Sequence, residues 1–90
     1  MRRVYKYPIP VTDMIDLSLP AGAQPLHVAA QGEMVCLWAL VDPEAEPVAR
    51  RFIVRGTGHP IENDDADLSH VGTFLLQDGA LVFHLFEVIP

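Results

Sequence analysis

Residues 69–90 read SHVGTFLLQDGALVFHLFEVIP, and this stretch decides the fold. Two apolar runs, Val71–Leu76 and Ala80–Val88, flank the turn signal Gln77-Asp78-Gly79. Asp-Gly supplies the positive φ angles that tight hairpin turns require, and Phe, Val and Leu on either side suit paired strands. The same grammar recurs upstream, where Leu26–Gln31 and Met34–Val41 bracket Gln31-Gly32-Glu33. Hairpins are therefore expected at Gln31–Glu33 and at Gln77–Gly79.

Working outward, Val4–Tyr7 is a short strand candidate that Pro8 and Pro10 should stop, which suits a sheet edge. Met14–Leu19 alternates, with Ile15, Leu17 and Leu19 facing one way and Asp16 and Ser18 the other. In Leu26–Gln31 the alternation sets Leu26, Val28 and Ala30 against His27, Ala29 and Gln31. Met34–Val41 is apolar on both faces, as expected of a strand between two layers or under another chain. Glu44–Ala49 is the one stretch that could wind into a helical turn, and Pro47 limits it. Val48–Arg55 reads as a strand with Phe52 and Val54 on one face and Arg51, Ile53 and Arg55 on the other. Together these segments predict a single all-β domain over residues 1–90, about seven short antiparallel strands in a small sandwich or barrel.

Ninety residues form one core that buries about 60–65% of the unfolded surface. The apolar fraction is 50% and the mean hydropathy +0.23, more than so small a core can hide. That surplus predicts self-association, as a homodimer or higher oligomer. The net charge of −6 argues against a nucleic-acid partner, which needs a clustered basic footprint. Cys36 is the only cysteine, so no intrachain disulfide is expected. No apolar run approaches a membrane span, and Met-Arg-Arg is not followed by the apolar core of a signal peptide. A cytoplasmic protein is the expectation.

Candidate chemistry is sparse. His27, His59, His70 and His84 lie at least 11 residues apart, which is not metal-ligand spacing. No metal or cofactor is expected. His84 stands mid-strand and reads as a hydrogen-bonded or half-buried histidine. Cys36 and Trp38 read as packing residues, since an apolar strand disfavours a thiolate. Asn63, Asp64, Asp65 and Asp67 could gather calcium but lack the glycine and bidentate glutamate of a calcium loop. The loop Gly56-Thr57-Gly58-His59-Pro60 is the densest cluster of special residues, although it lacks the Lys-Ser/Thr and helix of a phosphate-binding loop. If a small ligand binds, Arg55, Thr57 and His59 are the expected contacts, with Arg51 able to receive an anionic group on the face it shares with Arg55.

Tyr5-Lys6-Tyr7-Pro8, Cys36-Leu37-Trp38-Ala39-Leu40-Val41-Asp42-Pro43, Gly56-Thr57-Gly58-His59-Pro60-Ile61, Gly72-Thr73-Phe74 and Gly79-Ala80-Leu81-Val82-Phe83-His84 also carry a resemblance. Together with Arg51-Phe52, they resemble a family of short phage- and prophage-encoded proteins that carry a domain of unknown function. The resemblance spans nearly the whole chain and implies action in the cytoplasm of an infected bacterium. It supplies no activity for any residue. The function expected is a small accessory protein that binds a host protein or small ligand without catalysis, as counter-defence proteins do. The alternatives are a virion structural or assembly protein, and a small metal-binding protein or enzyme centred on His59 and Arg55.

Overall fold

The computed structural model describes residues 1–62 and 67–90. It is an all-β sandwich of two antiparallel sheets. The strands are β1 (Arg3–Ile9), β2 (Met14–Pro20), β3 (Gln24–Gln31), β4 (Met34–Val41), β5 (Pro47–Gly56), β6 (Asp67–Leu76) and β7 (Leu81–Ile89). One sheet has the order β1-β4-β3 and the other β2-β5-β7-β6, so the chain crosses between sheets after β1, β2 and β4. Neither sheet closes into a barrel.

Both expected hairpins form. Gln31 pairs with Met34 across a turn in which Gly32 takes φ 65°. Leu76 pairs with Leu81 across Gln77–Ala80, where Gln77, Asp78 and Gly79 all have positive φ. A left-handed backbone costs glycine nothing and is tolerated by a short polar side chain such as Asp, so Asp-Gly sits where its conformation is needed.

The core is built from alternate positions of both sheets. Ile9, Val28, Val35, Leu37, Ala39 and Val41 face Ile15, Leu19, Phe52, Val54, Phe74 and Leu85. Phe74 stacks on Phe83 with ring centroids 5.6 Å apart. β3 and β6 run side by side and close one flank of the sandwich. The closure depends on Gly72, because a Cβ there would stand 2.9 Å from Cγ1 of the fully buried Val28. Gly72→Ala should therefore lower stability by about 1–3 kcal/mol, the range for overpacking a filled core. Combining it with Val28→Ala should cost less than the two single changes added, measured by thermal unfolding.

Several local expectations need correction. Pro8 does not stop β1, which continues to Ile9. β1 is an edge strand, where a missing N–H is tolerated. Leu26 leaves the Val28 face because the register shifts between Pro25 and His27, and its side chain is exposed. Glu44–Ala49 forms no helix. Asp42 closes a turn by accepting from the Glu44 N–H at its side chain and the Ala45 N–H at its carbonyl, and Pro47 starts β5. β6 begins at Asp67, earlier than Val71, with a bulge between His70 and Gly72. Trp38 does not fill the core. It lies half-buried on the outer side of β4, its ring 5.9 Å from that of His27.

Cys36 shares that outer side and is nonetheless fully buried. Lys6 Nζ donates to Gln31 Oε1 at 2.8 Å, and the register places this bridge diagonally across β4 above Cys36. No helix among the described residues is long and apolar enough to cross a membrane.

Candidate functional site

The outer face of the four-stranded sheet collects most of the chemistry-bearing residues. Strand alternation sends Arg51, Ile53 and Arg55 of β5 outward, and the ladders align them with neighbours in three cross-strand rows. The first row is Asp16, Arg51, Val88 and Leu68, and the second is Met14, Ile53, Phe86 and His70. The third is Arg55, His84 and Thr73.

The middle row is apolar on β2, β5 and β7 and ends at His70 on β6. Ile53 is only 1% exposed although no second layer covers it. Met14 and Phe86 flank it across the strands, and Arg51 and Arg55 flank it along β5, where long side chains can cover apolar surface with their stems. Met14 at one end is exposed, and His70 at the other stacks obliquely on Phe86 at 5.3 Å. The face thus has an apolar centre and a charged border.

The charged border is held by the chain's own partners. Arg51 Nε and Nη2 donate to the two Asp16 carboxylate oxygens at 2.9 and 3.3 Å. These hydrogen bonds hold the Asp16 carboxyl below its usual range, against a smaller opposing desolvation, and raise the Arg51 guanidinium. A lowered carboxylate pKa stabilises the fold above the ordinary carboxylate range, and the contribution disappears as pH falls through the lowered value. Both side chains are over half exposed, so solvent screening keeps this small. Asp16→Asn should leave the melting temperature nearly unchanged in 0.5 M salt and lower it slightly in dilute buffer at neutral pH.

Arg55 Nη1 donates to the carbonyls of Asp13, at 2.9 Å, and of Val54, at 2.8 Å, pinning the β1–β2 loop to β5. His84 is half-buried, and its Nε2 and Nδ1 lie 2.7 Å from Thr57 Oγ1 and 2.9 Å from Thr73 Oγ1. Both ring nitrogens therefore have hydroxyl partners within the fold.

The structure brings Arg55, Thr57 and His59 together at the end of β5 and keeps Arg51 two rows away. His59 folds back so that its ring lies over Gly56, where an added Cβ would meet it at 2.8 Å. A cleft of about 240 Å³ on one side of this ring is bounded by Arg55, Asp13 and Phe83. A second, of about 270 Å³, is bounded by Thr57, Val82 and Phe83. Each is smaller than the roughly 300 Å³ at which ligand pockets begin.

One site residue is absent from the sequence expectations. Glu87 is buried inside the sandwich, where both of its oxygens accept from Arg50, the Nη2–Oε1 contact measuring 2.8 Å. Arg50 Nη1 also donates to the Ala23 carbonyl at 2.7 Å. The hydrogen bond to Glu87 raises the Arg50 guanidinium further above its ordinary value, against desolvation. The signal lay in alternation: Glu87 follows Phe83 and Leu85 on one face, and a carboxylate there requires a cation. A cleft of about 670 Å³ opens where β5 and β7 part beyond the Arg51–Val88 pair, and the two ion pairs neutralise its charged lining.

Among the described residues no group of His, Cys, Asp and Glu is placed to hold a metal ion. Of the residues weighed against a calcium loop, Asn63, Asp64 and Asp65 lie outside the described residues, while Asp67 opens β6.

Fold and face together define a small two-layer antiparallel β-sandwich whose outer sheet surface has an apolar centre within a charged border. The chain belongs to the family described as Domain of unknown function (DUF7352), whose model matches residues 1–90. No curated protein and no solved structure matches the chain.

Proposed function

We propose that this is a small phage- or prophage-encoded accessory protein that binds a host protein through the outer face of its four-stranded sheet. On this reading it acts in the bacterial cytoplasm and performs no chemical step. The observation that carries the proposal is the Met14–Ile53–Phe86–His70 row, an apolar band across three strands that ends at His70 on the fourth. Interfaces are desolvated at the centre and polar at the rim, and Asp16, Arg51 and Arg55 supply such a rim. The net charge of −6 favours a protein partner over a phosphate backbone. The motif resemblance described above supports the phage origin, and counter-defence is one role such binding would serve. Catalysis is disfavoured because Arg51, Arg55 and His84, the polar groups nearest the face, hydrogen-bond to their own chain.

Immobilised protein tests this against bacterial lysate. Wild type should retain a discrete host protein in near-stoichiometric amount, and Met14→Lys should reduce retention at least tenfold. Met14 is 52% exposed, so the substitution spares the core. Equal retention by both proteins, or none by wild type, would overturn the proposal.

A further inference from the structure

The two sheets have four edge strands, and three are protected against pairing with another chain. β1 carries Lys6 and Pro8. β3 and β6 each contain a register shift and lie against one another. Lysine, proline, bulges and covering strands are the usual means of blunting an edge. β2 has none of them before its last residue, Pro20. It runs straight against β5 for seven residues, and its single charge, Asp16, is paired with Arg51.

The β2–β5 hydrogen-bond pattern shows what this edge offers. The Val54 N–H donates to the Asp13 carbonyl at 3.1 Å, and the register sets these two residues opposite each other. Hydrogen-bonded pairs recur every second residue in an antiparallel ladder, so Ile15, Leu17 and Leu19 bond to β5. The N–H and C=O groups of Asp16 and Ser18 therefore point away from β5, toward the open edge. The Met14 carbonyl, of the same parity, accepts from Thr12 Oγ1 instead of from β5.

We infer that β2 pairs antiparallel with β2 of a second copy of this chain, about a two-fold axis at Leu17. Three registers bring outward-pointing groups together, and side-chain chemistry separates them. Pairing Asp16 with its own symmetry mate opposes like charges. Pairing Ser18 with itself sets Asp16 against Pro20, which has no N–H to give. Centring on Leu17 sets Asp16 against Ser18 twice, forming four main-chain hydrogen bonds and placing a hydroxyl beside each carboxylate. Ile15 then meets Leu19, and the half-buried Leu17 meets its mate, all on the core side. This isologous contact gives one continuous eight-stranded sheet and accounts for part of the apolar surplus. It is independent of the proposed host contact, since it uses the strand edge and leaves the outer faces of both copies side by side and open.

Light scattering after gel filtration should give wild type twice the 9.9 kDa chain mass. Ser18→Pro removes only an edge-facing N–H and fits an extended edge strand, so it should halve that mass with an unchanged circular dichroism spectrum. Leu17→Cys supplies a second reading. A non-hydrogen-bonded pair sets its Cα atoms about 4.5 Å apart, within disulfide reach, so mild oxidation should yield a covalent dimer. Leu19→Cys, opposite Ile15 of the mate, should yield little. A monomeric wild type, a dimeric Ser18→Pro, or cross-linking of Leu19→Cys equal to that of Leu17→Cys would each overturn the inference.

Discussion

Arg50→Met is expected to cost about 3–5 kcal/mol, the range for removing one partner of a buried ion pair. For a domain whose total stability is about 5–15 kcal/mol, that leaves little. The side chains of Arg50 and Glu87 are 19% and 8% exposed, so the carboxylate left behind would have no partner and little water. The change also removes the donor to the Ala23 carbonyl, and with it a tie between β5 and the β2–β3 turn. Arg50→Met with Glu87→Leu should recover most of the loss, because a well-packed apolar pair often equals a buried ion pair. Urea unfolding of the three proteins at neutral pH checks both the loss and its recovery. A neutral single variant would contradict this account.

Phe52→Ala should be equally damaging, at about 3–5 kcal/mol. Phe52 is 1% exposed and stands between Ile15 on β2 and Glu87 on β7, at the centre of the larger sheet. Truncation opens a cavity beside the ion pair and lets water approach the carboxylate. The two large effects should then be coupled. In the Phe52→Ala background, Arg50→Met should cost less than it does in wild type, a non-additivity expected of neighbours and measurable by the same unfolding cycle. Strict additivity would mean that the cavity stays dry and the ion pair does not sense it.

The hairpins were legible because Gly32 and Asp78-Gly79 mark turns that few other residues tolerate, and because the flanking runs are too short for helices. Strand faces were legible wherever alternation was clean, as in β2 and β5, and Ile53 does lie between Arg51 and Arg55. Legibility failed where both faces are apolar. In β4, alternation separates Cys36, Trp38 and Leu40 from Val35, Leu37 and Ala39, but only packing against the other sheet decides which set is inside. It failed again at bulges, where one extra residue reverses parity, as at Leu26 and before Gly72. Asp16 and Glu87, the partners of Arg51 and Arg50, lie 35 and 37 residues away in sequence, so the pairs could not be read before strand order was known. The loop cluster around His59 drew attention as a cluster of special residues, but it folds onto Gly56, whereas the apolar row consists of ordinary strand residues that only the ladders bring into line.

A photo-crosslinking phenylalanine analogue placed at position 70, at the end of that row, and separately at position 59 tests the proposed binding face most directly. After irradiation in bacterial lysate, position 70 should yield one adduct of discrete mass, and position 59 should yield none. An adduct from position 59 alone, or from neither position, would contradict the account.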